Sequence, residues 1–363
     1  MNTSRHAFVI AEAGVNHNGS LDRAHQLVDA AAGAGADAVK FQTFKADRLA
    51  SAAAPKAAYQ ARETGAGQSQ LEMLRALELS ADAHVELMRH CADRGIEFLS
   101  SPFDEESLAL LVRLGVKRLK LGSGELTNAP LLIAAARTGL PILISTGMAT
   151  LAEVEDALGA LSFGHLQQDG PASRAVFAGA WASETGRAWA RAHITVLHCT
   201  TEYPSPVAQA NLLAMVTMRE RFGVEVGYSD HTVGDRACLA AVAMGAAVIE
   251  KHVTLDRYLP GPDHKASIEP DELGRLVASI REVEAALGDG VKAPVPSEIA
   301  NMAVARKSLV AARKISKGER ITADHVTVKR PGTGRSPFEL WDVIGSIASR
   351  SYDIDDLIGT EPE

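Results

Sequence analysis

The sequence predicts an α/β protein: a (β/α)8 TIM barrel followed by a small C-terminal domain. Three observations lead there. Eight short β-branched or apolar runs alternate with Ala/Leu-rich amphipathic segments, a pattern that implies parallel strands joined by helical crossovers. The eight units fill residues 1–288 of a 363-residue chain, close to the ~250 residues typical of such a barrel. Nearly every run ends in polar side chains, as expected where all strand C-termini share one functional rim. An open doubly wound sheet is the competing arrangement, but the turn "EAGVNHNGS" after the first run lacks GxGxxG spacing.

The runs are, in order, "AFVIAEAG", "DAVKFQT", "IEFLSSPF", "RLKLGSGE", "PILISTG", "ITVLHCTT", "VEVGYSDHT" and "AVIEKHVT". A helix is predicted from about Ser20 to Ala34. Ser80 and Gly95 bracket another as N-cap and C-terminal stop, Asp104 and Gly115 a third, and "DRACLAAVAMGA" stops near Gly245. Two joins are longer than one helix requires. Lys45 to Leu79 contains "ETGAGQSQ", read as a mobile loop with a helical element after it. Ser162 to Ala192, Gly/Ala-rich with Trp181 and Trp189, reads as an insertion before the sixth strand. Beyond Gly288 a Gly/Pro linker, residues 289–300, precedes short strands and turns over residues 301–363.

Bulk properties narrow the function classes. An apolar fraction of 46% and a charged fraction of 23% describe an ordinary soluble globular protein. A net charge of −8 and the lack of a basic block argue against a nucleic-acid surface. Cys91, Cys199 and Cys238 are scattered and form no CxxC, so neither a disulfide framework nor a zinc knuckle is suggested. The N-terminal apolar run is too short for a signal peptide and no stretch is long enough to span a bilayer. The expectation is a cytoplasmic enzyme or binding protein.

The strand ends carry Glu12, Lys40, Gln42, Ser101, Lys120, Ser123, Glu125, Ser145, Ser229, His231, Glu250, Lys251 and His252. Lysine and glutamate are depleted in buried strands, so their recurrence at one rim is hard to ascribe to packing. Singly, each has a bland explanation: Lys40 could pair with a carboxylate, and Glu12 could cap a loop. Together, Lys40 and Lys120 with serine hydroxyls and "GSG" and "STG" turns suit a phosphate. His231 and His252, on adjacent strands, suit a divalent metal with positions left open for water or substrate. A strand lysine could instead form a Schiff base, though that chemistry would not need a histidine pair.

"IAEAGVNHNGS", "VKFQTF", "KLGSGE", "LISTGM", "HCTTEYPSP", "GYSDHT", "EKHVTLD" and "GPDHKAS", in this order, resemble the sialic acid synthases. Those enzymes condense phosphoenolpyruvate with an N-acetylated mannosamine-type sugar to form a nine-carbon acid. The resemblance implies a TIM barrel followed by a small antifreeze-like (SAF) domain. It also implies a divalent metal, manganese with magnesium and cobalt as alternatives, held by His231 and His252. It assigns Lys40, Ser101, Lys120, Ser123, Ser145 and Ser229 to phosphoenolpyruvate, and Glu12, Gln42, Tyr203 and Asp263 to the sugar. Glu125 matches the carboxylate that handles the water, and Glu12 is counted with it as catalytic. Arg330 matches an arginine that reaches the sugar's N-acetyl group in the partner chain's site, which implies a domain-swapped homodimer. At Thr201 the sequence departs from members that carry Asn. The motifs point to the legionaminate branch, whose sugar is 2,4-diacetamido-2,4,6-trideoxymannose. N-acetylmannosamine, giving N-acetylneuraminate, is the near alternative, the pseudaminate branch a further one. An inactive barrel serving as a carbohydrate-binding protein is the reading from a different class.

Overall fold

The computed structural model describes residues 6–65, 67, 69–166 and 171–359. The chain divides into two compact units, Met1–Asp289 and Gly290–Glu363. In the first, the strands are β1 (Phe8–Gly14), β2 (Ala38–Thr43), β3 (Glu97–Pro102), β4 (Leu119–Leu121), β5 (Ile142–Ser145), β6 (Ile194–Cys199), β7 (Glu225–Asp230) and β8 (Val248–His252). They pair in the order β3-β2-β1-β8-β7-β6-β5-β4, every ladder parallel. β4 lies alongside β3 and brings the ring nearly to closure. The predicted barrel is thus the observed one.

The period-2 alternation of a strand explains how the interior is filled. Ile10, Ala38, Leu99, Leu143, Leu197 and Val248 point inward and form an apolar plug. Each of its larger side chains contributes on the order of 2 kcal/mol by burial, giving the mouth a rigid base. Gly227 stands at the same level because a Cβ there would lie 2.6 Å from both Leu197 Cδ2 and the Val248 carbonyl. Two residues further along, the inward positions become polar: Glu12, Lys40, Ser101, Ser145, Ser229 and Glu250. Two further again come Gln42, His231 and His252. The outward positions, such as Val9, Val39, Leu119, Ile144 and Ile249, pack against the surrounding helices in the main core.

The helix boundaries follow the capping chemistry. Ser20, Ser80 and Asp104 accept hydrogen bonds from Arg23, Ala83 and Ser107 backbone N–H groups, and Gly95 and Gly115 end their helices with φ of 70° and 80°. The two long joins are more ordered than the sequence suggested. Lys45 to Leu79 carries helices Ala46–Leu49, Ala58–Thr64 and Gln70–Leu77; within "ETGAGQSQ", Ala66 and Gln68 lie outside the described residues. The expected insertion is mostly helix, Arg174–Ala182 and Glu184–His193, with Phe177, Trp181 and Trp189 buried in the main core; residues 167–170 lie outside the described residues. Among the described residues no helix is long and apolar enough to cross a membrane.

The second unit opens with helix Pro296–Ala305, so the predicted linker shares its last five residues with a helix that Pro296 starts. An antiparallel pair, β9 (Ser308–Ala311) and β10 (Val326–Lys329), follows. Its own core gathers Leu309, Ile315, Ile321, Val343, Tyr352 and Ile358. Backbone bridges Ile315↔Tyr352 and Val310↔Leu357 carry the pairing into "SYDIDDLIG" near the C-terminus.

Candidate active site

The floor of the barrel mouth is a chain of buried charges. In the β1 register, Glu12 faces Lys40 on one side and His252 on the other. Lys40 Nζ stands 2.6 Å from Glu12 Oε2 and 3.7 Å from Glu250 Oε2, while Lys120 Nζ lies 3.6 Å from Glu250 Oε1. Ser229 Oγ donates to Glu250 Oε1 at 2.7 Å, and Lys40 donates to Ser101 Oγ at 3.3 Å. All four ionisable side chains are nearly inaccessible to solvent. Buried charges of this kind persist only when paired. Burial pushes the Glu12 carboxyl up to about 7 against the pull of Lys40. Burial also opposes ionisation of Glu250, but Lys120 and Lys40 outweigh it and hold that carboxyl down near 2. Lys40 is pulled down by burial yet raised overall by Glu12 and Glu250, whereas Lys120, with the weaker pairing, is lowered by burial.

Above this floor the two imidazoles face each other, ring centroids 5.2 Å apart. His231 Nδ1 lies 2.6 Å from the Thr200 carbonyl, which can only accept, so Nδ1 carries the hydrogen and Nε2 offers its lone pair. Burial lowers His231 to about 4, and burial together with the neighbouring His231 lowers His252 well below its ordinary value. Both rings are therefore neutral near pH 7, the form that ligates metals. His252 Nδ1 is buried without a hydrogen-bond partner among the described residues, its nearest carboxylate oxygen being Asp263 Oδ2 at 3.9 Å. Burial pushes Asp263 itself up to about 6. The Tyr203 ring stands 4.2 Å from His231. Among the described residues no group of three His, Cys, Asp or Glu side chains could hold a metal by itself.

One cavity of about 400 Å³ joins these parts. It is lined by Glu12, Lys40, Gln42, Ser101, Lys120, Ser123, Ser145, Tyr203, Ser229, His231, His252 and Asp263, so the barrel fold brings nearly every sequence-predicted site residue to one place. Ser145 Oγ and Thr201 Oγ1 are buried there without hydrogen-bond partners among the described residues, and an anion's oxygens would satisfy them. Ser123 Oγ accepts from the Gly147 backbone N–H at 3.0 Å. Gly147 has to be glycine, since a Cβ would sit 2.1 Å from Thr201 Oγ1.

One predicted residue of the barrel unit, Glu125, does not line the cavity. Glu125 ends a 3-10 turn, Ser123–Glu125, after β4. That turn carries its carboxyl to Asn128, whose Nδ2 donates at 2.6 Å. Arg330 belongs to the second unit, exposed, with Nε donating to the Ala305 carbonyl at 3.1 Å. Glu250, noted among the strand-end residues, also lines the cavity; it lies two residues before His252 and shares its face. An apolar wall comes from Leu49, Met73, Leu74 and Leu77 of the long join after β2, and nothing in the local sequence marks it.

Residues 27–292 match the NeuB family, and residues 306–359 the SAF domain. N,N'-diacetyllegionaminic acid synthase of Campylobacter jejuni is 47% identical over 96% of this chain and 98% of its own length. The Legionella pneumophila protein of the same name is 45% identical over 95% and 91%. A crystal structure of N-acetylneuraminic acid (sialic acid) synthetase from Leptospira borgpetersenii superposes with a TM-score of 0.66 at 32% identity, covering 82% of this chain and 90% of that one. The match runs from within the first barrel helix to just past the last one and spans seven of the strands that build the mouth; the chain belongs to the NeuB family.

Proposed function

We propose that this protein is a phosphoenolpyruvate-dependent nonulosonic acid synthase, a transferase that forms a C–C bond. Its substrates are phosphoenolpyruvate and 2,4-diacetamido-2,4,6-trideoxymannose, and its products N,N'-diacetyllegionaminate and phosphate. One observation carries the reading: a single cavity sets two buried lysines and orphaned hydroxyls beneath two neutral imidazoles. The family relatives named as legionaminic acid synthases support the choice of sugar. So does the apolar wall, against which a deoxy carbon is better placed than a hydroxymethyl group.

In this reading Lys40, Lys120, Ser101, Ser123, Ser145 and Ser229 hold the phosphate and carboxylate of phosphoenolpyruvate at the floor. His231 Nε2 and His252 would hold a divalent ion, manganese by preference, which supplies Lewis-acid polarisation of the sugar's aldehyde oxygen. Gln42, Tyr203 and Asp263 orient the open-chain sugar so that its aldehyde carbon meets the enol carbon. Bond formation leaves positive charge on the carbon bearing phosphate, and the carboxylates of Glu12 and Glu250 stabilise it. Water adds to that carbon. Glu12, raised to about 7, is matched to taking up its proton; Glu125 serves the water only if its bond to Asn128 opens. The C–O bond to phosphate then breaks as the added hydroxyl passes its proton to the departing phosphate, leaving the ketone, and the proton held by Glu12 passes to the former aldehyde oxygen. The test is turnover of phosphoenolpyruvate with each of the legionaminate, neuraminate and pseudaminate precursor sugars, scored by phosphate release and product mass. The legionaminate precursor should give the highest kcat/KM. Phosphate release with none of them would favour the carbohydrate-binding alternative.

The swapped homodimer belongs to the same reading. The exposure of Arg330 within its own unit leaves the guanidinium able to reach a second chain. Arg330→Ala should weaken sugar binding with little effect on phosphoenolpyruvate. Mixing Arg330→Ala with His231→Ala chains should restore partial activity, because one of the two sites in a mixed dimer is intact. No rescue after confirmed subunit exchange would refute the swap.

A further inference from the structure

Below the imidazoles, on the opposite face of the same two strands, lies a second buried ion pair that the chemistry above does not use. Lys251 and Asp230 are register partners across β8 and β7, and Lys251 Nζ stands 2.6 Å from Asp230 Oδ2 with both side chains fully inaccessible. Alternation turns them outward, into the layer between barrel and helices. Around the pair the layer is largely apolar: Ile249 and Val226 occupy it on the same strands. Helix Arg236–Ala243 covers the pair, and its Cys238 Sγ lies 3.1 Å from Asp230 Oδ2. A buried ion pair in such a place is weak evidence for stability, since well-packed apolar residues often serve as well or better. Its geometry suggests a different use.

Each member directly precedes a histidine of the mouth, Asp230 before His231 and Lys251 before His252. The pair also grips the backbone on the far side of His231: Asp230 Oδ1 accepts the Thr232 N–H at 2.9 Å, and Lys251 Nζ donates to the Thr232 carbonyl at 2.5 Å. The His231 carbonyl accepts the Ser205 N–H at 2.8 Å. The segment 230–232 is thereby tied to residue 251 of the neighbouring strand through side chains, just where the β7–β8 ladder ends.

We infer that Lys251 and Asp230 are positioning residues, which fix the spacing and direction of the His231 and His252 imidazoles from behind the sheet. This rests on the reading of those imidazoles as a metal site, and the test separates the two. Such indirect support acts on a metal as hydrogen-bond partners of its ligands do, through the aim of the ligating atoms. The variant Asp230→Asn with Lys251→Met is neutral and close in volume, leaves no lone buried charge, and keeps an acceptor for Thr232 N–H. Asp230→Glu keeps both charges and lengthens the link by one methylene. Binding of manganese(II) chloride is measured by calorimetry on the full-length protein, alongside thermal melting and the KM for phosphoenolpyruvate.

The expected result is a cooperative melt for both variants, a KM for phosphoenolpyruvate within about twofold of wild type, and manganese affinity weakened about 10-fold or more. Wild-type manganese affinity in either folded variant overturns the inference. Failure of the neutral double variant to fold assigns the pair to stability and overturns it equally. A wild-type protein that binds no manganese refutes the metal reading instead, a result distinct from either.

Discussion

Replacing His231 or His252 by Ala should abolish metal-dependent turnover while leaving the barrel folded. Each ring sits at the mouth end of a strand, above the apolar plug that holds the fold together. Rim side chains of this architecture are spent on chemistry rather than on packing. His231 is bonded through Nδ1 to the Thr200 carbonyl in the loop after β6, and its ring packs on Tyr203 and His252 rather than on the apolar plug. The drop in kcat/KM should exceed the ~10–100-fold that loss of a residue hydrogen-bonded to a metal ligand costs. The checks are turnover with and without added manganese and a thermal melt. Near-normal activity of either variant in the presence of chelator would show that the pair holds no metal.

Lys40→Ala and Lys120→Ala should each raise the KM for phosphoenolpyruvate far more than that for the sugar. A charge-assisted hydrogen bond contributes about 1.5–3 kcal/mol, equivalent to about 10- to 150-fold in affinity. The two should differ in their side effects. Lys40 is the closer partner of Glu12 and also faces Glu250, so its removal strands more negative charge and should lower the melting temperature further. Lys120 sits near a single carboxylate, and its variant should show the cleaner binding defect. Trapping either lysine with borohydride in the presence of substrate would overturn the phosphate role in favour of a Schiff base.

The sequence made the barrel legible because strand and helix periods alternate without interruption, and because caps such as Ser80 and Asp104 act locally. The mouth was legible through residue types that strands avoid, and most of the positions singled out line one cavity. What stayed hidden depended on phase or on tertiary return of the chain. Glu250 was placed at the rim but given no role, although it shares the inward phase of His252. Glu125 was placed at the mouth because β4 was read as continuing through "GSGE", whereas the strand stops at Leu121 and a tight turn carries the carboxyl away. The two helices between Arg174 and His193 were masked by glycine and alanine, which hid the spacing of Phe177 and Trp181. The apolar wall is made by a segment that folds back over the mouth, and no periodicity records that.

The plug beneath the charged floor has a kinetic consequence. Ile10, Leu99, Leu143 and Leu197 close the barrel from below, so whatever enters the cup must leave by the way it came. The lysines lie one tier deeper than Gln42, His231 and His252, and a substrate held by them is covered by whatever binds above. On the proposed reading of the site, loading then has a compulsory order, the phosphorylated substrate first and the sugar second. Inorganic phosphate should accordingly compete with phosphoenolpyruvate alone, and competition with the sugar as well would refute the compulsory order.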